Sequence, residues 1–125
     1  MNVVDSSGWL EYFGGGANAN IFAPIIQASE ALVAPTVCMY EVFKRVLAQR
    51  GEESALQAIG IMSLGTIADL TLEIAVDAAR ISTELKLAMA DSLILATARA
   101  YEAALWTQDA DFEGLEGVYY IENES

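Results

Sequence analysis

The residues Asn2-Val3-Val4-Asp5-Ser6-Ser7 predict a short apolar strand that ends on an acid and passes directly into a helix. We expect the strand over 2–5 and the helix over 6–13, opened by two serines that can cap it. A second acid, Asp109, follows another short apolar strand over 104–107. Because both strands are apolar throughout, we expect a sheet that is buried on both faces.

The rest of the chain alternates between strand and helix patterns. We expect further strands over 31–34, 66–70 and 118–121, and helices over 36–49, 52–63 and 71–87. Two more helices are expected from Asn18 to about 29 and from Asp91 to about 102, with Asn18 and Asp91 as their caps. Strands separated by helices predict an α/β fold with a mostly parallel sheet, here as one domain over 1–125.

The composition removes several kinds of chemistry. The 125 residues include no histidine and a single cysteine, Cys38, and 54% of them are hydrophobic. These numbers exclude intrinsic disorder, an intramolecular disulfide framework, Ser-His-Asp and Cys-His catalysis, and histidine-based zinc sites. Catalysis would therefore use carboxylates, hydroxyls, Lys or Arg, or a bound metal.

The charge is strongly acidic, with six basic and eighteen acidic residues and a formal net charge of −12. Such a chain should avoid anionic membranes and non-specific nucleic-acid binding, unless bound cations carry the recognition of phosphate. No segment has the pattern of a signal peptide or a membrane span, so we expect a cytoplasmic protein.

Three aspartates fall where a ligand site is expected. In open α/β sheets, ligands bind beyond the carboxyl ends of the strands, and Asp5 and Asp109 both lie at that edge. Asp91 precedes a helix that is apolar almost all round, so its helix end should be buried. Taken singly, each aspartate is equally explained as a turn former or a helix cap.

Glu41 has the opposite pattern. At 100° per residue it falls nearly opposite the apolar stripe of its helix, with Lys44 and Arg45 on the adjoining face. The stripe consists of Met39, Val42, Phe43, Val46 and Leu47. Periodicity alone therefore predicts a solvated glutamate that pairs with a neighbouring cation.

Four stretches together resemble a known family. They are Val3-Val4-Asp5-Ser6-Ser7, Ala34-Pro35-Thr36 with Tyr40-Glu41-Val42, the run from Met89 to Ala98 around Asp91, and Trp106-Thr107-Gln108-Asp109-Ala110-Asp111-Phe112. In this order and at this spacing, the chain resembles the PIN-domain proteins, most closely the VapC-type toxins of prokaryotic toxin–antitoxin pairs.

The resemblance implies a three-layer α/β/α domain and a metal-dependent ribonuclease. Its acidic residues would match Asp5, Glu41, Asp91 and Asp109, with Asp111 as an additional candidate and Thr107 as a supporting hydroxyl. We expect Asp5, Asp91 and Asp109 to coordinate Mg²⁺ or Mn²⁺, because an all-oxygen donor set favours these ions over zinc. Glu41 would orient a water or share the coordination, and this match overrides the periodicity. Thr107 and Ser6 would hold the acids by hydrogen bonds.

The same resemblance implies an RNA substrate and an antitoxin partner, and together with the apolar composition it predicts a homodimer. Two readings within the fold stay open: an RNA-processing nuclease that is not a toxin, and a non-catalytic scaffold. A phosphoacceptor receiver domain is disfavoured, because Ser6 stands where a second acid is needed and no lysine follows Lys86. A haloacid-dehalogenase phosphatase is also disfavoured, because the Asp109-x-Asp111 pair does not lie on the first strand.

Overall fold

A five-stranded, entirely parallel sheet forms the centre of the protein, in a computed structural model that describes residues 1–123. The strands are β1 (Asn2–Val4), β2 (Leu32–Pro35), β3 (Thr66–Ala68), β4 (Ala104–Thr107) and β5 (Val118–Tyr120). Their order across the sheet is β3-β2-β1-β4-β5. The predicted α/β fold with a parallel sheet is thus confirmed. Residues 124 and 125 of the predicted domain lie outside the described residues.

Helices complete the three-layer α/β/α arrangement. They are α1 (Ser6–Gly14), α2 (Ala19–Gln27), α3 (Thr36–Arg50), α4 (Glu52–Met62), α5 (Leu72–Leu85) and α6 (Met89–Ala100). The helices pack in pairs, α1 on α2, α3 on α4 and α5 on α6. No helix among residues 1–123 combines the length and the apolar character that crossing a membrane would require.

Burial is concentrated in the middle of the sheet. Val3, Val4, Val33 and Leu105, on the three central strands, are completely shielded from solvent. The edge strands differ, because each has a neighbour on one side only: Ile67 and Tyr119 are 46% and 55% exposed. The expectation that all strands are buried on both faces is therefore wrong for β3 and β5.

Strand β1 lies at the switch point of the sheet, where the order in which strands are added reverses. From β1 the chain builds β2 and β3 on one side and then returns to add β4 and β5 on the other. Val3 pairs with Leu105, and the Asp5 N–H donates to the Trp106 carbonyl at 2.9 Å. The crevice beyond β1 and β4 is where ligands bind in sheets of this kind.

A glycine brings α1 close to this crevice. A Cβ atom on Gly8 would stand 2.6 Å from Val4 Cγ1 and 2.7 Å from the Phe22 ring. Only glycine allows this close approach, so α1 follows β1 with its first turn pressed against the strand end. The residues after Asp5 are thereby held beside the crevice.

The predicted helix caps are partly wrong. Helix α6 begins at Met89, because the Ser92 N–H already closes a helical turn on the Ala88 carbonyl, so Asp91 lies inside the first turn. Asn18 holds the cap position of α2, but its side-chain amide binds Gln108 and the Glu122 carbonyl instead. Thr71 does cap α5, accepting the Ile74 N–H at 3.2 Å.

The cap of α1 also differs from the expectation. Asp5, rather than a serine, stands at the cap position, and no side chain caps the helix. The hydroxyl groups of Ser6 and Ser7 bind acidic side chains instead.

Candidate metal centre

Asp5 is the most deeply placed acid of the crevice, with 3% of its surface exposed. Its Oδ2 atom accepts hydrogen bonds from Thr107 Oγ1 and Ser7 Oγ, both at 2.7 Å. Burial raises the pKa of Asp5, and the nearby Asp109 raises it further, against the lowering effect of these hydrogen bonds. The two hydroxyls therefore fix the orientation of a carboxylate that is costly to ionise.

Thr107 connects the ends of the two central strands. Its buried hydroxyl donates to Asp5 and accepts the backbone N–H of Asp109 at 2.9 Å. Asp109 Oδ1 in turn accepts the N–H of Asp111 at 2.9 Å, which shapes the short 3₁₀ turn Ala110–Phe112. One hydroxyl thus sets the relative position of two acids that lie far apart in sequence.

Asp91, Asp109 and Asp111 come together as a group of potential metal ligands. One carboxylate oxygen from each lies within 4.8 Å of the others, and no other such group occurs among residues 1–123. Asp91 and Asp109 are half-buried, whereas Asp111 is exposed. Asp111, the additional candidate from the sequence, therefore belongs to the group of potential metal ligands, whereas Asp5 and Glu41 lie outside that group.

Glu41 does not form the surface ion pair that periodicity predicts. Its Oε1 accepts a hydrogen bond of 2.6 Å from Ser6 Oγ, and it has no ion pair with Lys44 or Arg45. The buried stripe of α3 is Cys38, Val42 and Val46, so the stripe assigned from sequence was rotated and Leu47 is 43% exposed. This rotation brings the half-buried Glu41 to the crevice.

The electrostatic environment of Asp91 includes the four other acids. Desolvation raises its pKa, and the charges of Asp109, Asp5, Asp111 and Glu41 raise it further, to about 7. We call these five residues the acidic cluster. At neutral pH the cluster has more negative charge than the protein around it compensates.

The donor set of the acidic cluster fits a divalent cation. All its ligand atoms are carboxylate oxygens, which suit Mg²⁺ and Mn²⁺ rather than zinc. The raised pKa of Asp91 fits as well, because a bound cation would relieve the repulsion that causes it. Asp91, Asp109 and Asp111 would hold such an ion, with Asp5 or Glu41 completing its surroundings.

Two supporting residues were missed in the sequence. Ser7 Oγ donates to Asp5 and accepts the Gln108 N–H at 3.2 Å, so it connects α1 to the end of β4. The Gln108 side chain lies between Asn18 and Glu11, at 3.0 and 3.4 Å. In the sequence, Ser7 is explained as a helix cap, and only Ser6 is predicted to hold an acid. No pattern in the sequence indicates the role of Gln108.

The comparisons with known proteins agree with the fold described above. The family model described as the PIN domain matches residues 3–118. A toxin–antitoxin complex from Klebsiella pneumoniae contains a chain that is 25% identical, with a TM-score of 0.79; the match covers 97% of this chain and 100% of that one. A search of curated protein sequences finds no match.

Two more distant structures have the same fold. VapC20 of Mycobacterium tuberculosis, described as a toxin that cleaves the sarcin–ricin loop, is 16% identical with a TM-score of 0.75 over 98% of both chains. VapBC2 of Rickettsia felis, bound to a DNA fragment from its promoter, is 16% identical with a TM-score of 0.74 over 97% of both chains.

Proposed function

Because the chain belongs to the PIN-domain family, we propose that it is a metal-dependent endoribonuclease, the toxin of a type II toxin–antitoxin pair. The observation that carries this proposal is the meeting of Asp91, Asp109 and Asp111 beside the buried Asp5 at the switch point of the sheet. With no histidine in the chain, the acidic cluster is the set of groups best suited to hydrolysis.

The activity would depend on a bound Mg²⁺ or Mn²⁺, which lowers the pKa of an attacking water and offsets negative charge on the scissile phosphate. The residues of the chain position the reactants. Asp91, Asp109 and Asp111 would supply the ligand oxygens, and Asp5, held by Thr107 and Ser7, would face them from β1. Glu41, held by Ser6, would orient the water or share the coordination.

The partners are proposed on the same grounds. The Klebsiella and Rickettsia structures are toxin–antitoxin assemblies, which supports an antitoxin that covers the site of this chain. VapC20 is described as a toxin that cleaves the sarcin–ricin loop, which supports RNA as the substrate class. We further propose that the protein works in the cytoplasm as a homodimer.

The first prediction is RNA cleavage that requires Mg²⁺ or Mn²⁺. Purified protein should cleave total RNA in either ion, and EDTA should abolish cleavage. Asp5→Asn should lower the rate by a factor of at least about 100, because a neutral amide is a much poorer partner for a cation. Melting curves of the variant should still show a cooperative transition, since the amide can keep the hydrogen bonds from Thr107 and Ser7.

Asp69→Asn serves as the control, because it removes one charge from an exposed residue after β3. Cleavage that persists in EDTA or in Asp5→Asn would contradict the mechanism. No cleavage by the wild type under any condition would favour the non-catalytic scaffold. A short antitoxin gene directly upstream, whose product restores growth of cells expressing this protein, would separate a toxin from an RNA-processing nuclease.

A further inference from the structure

The basic residues of this acidic protein are unevenly placed around the site. Of the six, Lys44, Arg45 and Arg50 all lie on α3 and are exposed. Among residues 1–123 the single ion pair joins Arg80 to Asp77, so these three cations have no carboxylate partner there. Lys44 lies over the Tyr40 ring, 5.8 Å from its centre. Helix α3 therefore presents uncompensated positive charge in a chain of net charge −12.

The same helix forms one wall of a cavity of about 480 Å³ between α1, α3 and α4. Its size is within the usual range of ligand pockets, roughly 300–1,000 Å³. Arg45 and Arg50 line it, as do Ser7 and Gln108, which are bound to each other beside the acidic cluster. The cavity thus opens next to the groups that hold Asp5.

Arg45 also borders a second cavity, of about 370 Å³, which includes Ser6 and Glu41. Arg45 therefore lies between the two cavities. The first cavity reaches Ser7 and the second reaches Ser6, the serines that hold Asp5 and Glu41. A strand that leaves the acidic cluster in this direction would meet Arg45 first and Arg50, more than one helical turn further on, second.

We propose that α3 and the cavity between α1, α3 and α4 bind the single-stranded RNA that flanks the scissile phosphate, with Arg45 and Arg50 contacting its phosphates. This inference rests on the proposed function and adds where the substrate lies. The guanidinium group suits phosphate because its planar donors match two oxygens at once. Unpaired nucleotides are what such a cavity can accept, because their bases are free to leave the stack.

The cavity walls match a nucleotide in other respects. Leu10 and Phe13 provide apolar surface for the face of a base, and the amides of Gln49 and Gln57 can hydrogen-bond to its edges. The one carboxylate in the lining, Glu11, accepts the Asn18 N–H at 2.8 Å and the Gln108 amide at 3.4 Å. Its charge is therefore partly compensated by one donor from the α1–α2 turn and one from the residue after β4.

The charge distribution favours RNA over an acidic protein segment as the occupant. The acidic cluster next to the cavity repels any polyanion, so an anionic substrate needs local cations to approach it. Half of the basic residues of the chain lie on α3, which borders both cavities. These cations attract an anionic substrate locally, although the net charge of the whole chain would repel it.

The test is binding of a short fluorescein-labelled single-stranded RNA, measured by fluorescence anisotropy in Ca²⁺ at several salt concentrations. We expect Arg45→Gln and Arg50→Gln each to weaken binding roughly tenfold. Each should also reduce the slope of log affinity against log salt by about 0.7, as expected for the loss of one phosphate contact on a single strand. Arg45→Lys should restore part of the affinity and the full slope, because it keeps the charge.

Arg99→Gln is the matched control, because it removes an exposed arginine from the last turn of α6. It should leave affinity and slope unchanged. If Arg45→Gln and Arg50→Gln bind RNA like the wild type, the inference is wrong, even where wild-type cleavage shows the proposed function to be right. If they lose affinity for an antitoxin but not for RNA, the cavity is a protein site and the inference is also wrong.

Discussion

The carboxyl group of Asp91 is in a less favourable electrostatic environment than an isolated aspartate. Partial burial, and then the charges of four other carboxylates, raise its pKa to about 7. Between about pH 4 and 7 the folded, metal-free protein therefore holds a proton there that the unfolded chain has released. It follows by linkage that the free energy of unfolding falls as the pH rises through this window and levels off above it.

The second prediction concerns Asp91→Asn in EDTA. The substitution removes the repelled charge, so it should raise the free energy of unfolding at pH 8 by on the order of 1 kcal/mol, a figure discounted because the side chain is partly exposed. Near pH 4, where the aspartate is protonated, the difference should disappear. Denaturation curves at a series of pH values measure both effects.

The same variant should gain less from Mn²⁺ than the wild type does, because it binds the ion more weakly and stabilisation grows with ligand affinity. Asp69→Asn again controls for the loss of one negative charge at an exposed position. Denaturation curves for Asp91→Asn that match those of the wild type at every pH, in EDTA and in Mn²⁺, would contradict the prediction. They would show that Asp91 has a role in the start of α6 only.

At the scale of single elements, the end of β4 depends on one hydroxyl. Thr107 donates to Asp5 and accepts from the backbone of Asp109, so it positions two strand ends at once. Because its hydroxyl is engaged by Asp5 and by the backbone of Asp109, we regard it as a positioning residue.

The third prediction is that Thr107→Val, which conserves volume, lowers the free energy of unfolding by about 1–3 kcal/mol, because it leaves the Asp109 N–H unpaired. It should also weaken Mn²⁺ binding at least about tenfold, because Asp5 and Asp109 lose their common anchor. Calorimetric titration with Mn²⁺ measures the affinity, and Thr107→Ser should restore it. Lower stability with unchanged Mn²⁺ affinity would show that the hydroxyl serves the fold alone.

The elements themselves could largely be predicted from the sequence, because short apolar strands and capped amphipathic helices have distinct periods. The site was harder to predict. On α3 the apolar residues Met39 and Leu47 suggested a stripe rotated away from the real one, so Glu41 was recovered through the family resemblance only. Asp91 was placed correctly near a helix start but not as its cap. Which oxygens meet depends on tertiary contacts, such as Ser6 with Glu41, that no local pattern contains.

For the molecule as a whole, several large apolar side chains are exposed near one sheet edge. The exposed apolar segment runs from Leu64 to Val76, around the edge strand β3. It contains Leu64, Ile67, Leu70, Leu72 and Val76, which are 41–77% exposed. An unpaired strand edge with apolar side chains is a natural contact for a second copy.

The fourth prediction is therefore a homodimer that buries the exposed apolar segment. Light scattering at tens of micromolar should give twice the mass of the chain, and Leu72→Glu should shift it toward the monomer, because a charge in such an interface is costly. Ile21→Glu, on the exposed face of α2, should leave the dimer intact. A wild-type protein that is monomeric at this concentration would contradict the prediction.

The central position of β1 has a consequence for how the protein is made. Residues 2–4 are translated long before residue 104, where one of the two neighbours of that strand begins. Until most of the chain has been translated, β1 can pair only with β2, and Asp5 has no Thr107 to hold it. The acidic cluster cannot assemble on a nascent chain that ends before Asp91, because three of its members, Asp91, Asp109 and Asp111, have not yet been synthesised. The nuclease activity that we propose would therefore arise only after Asp111 has been translated.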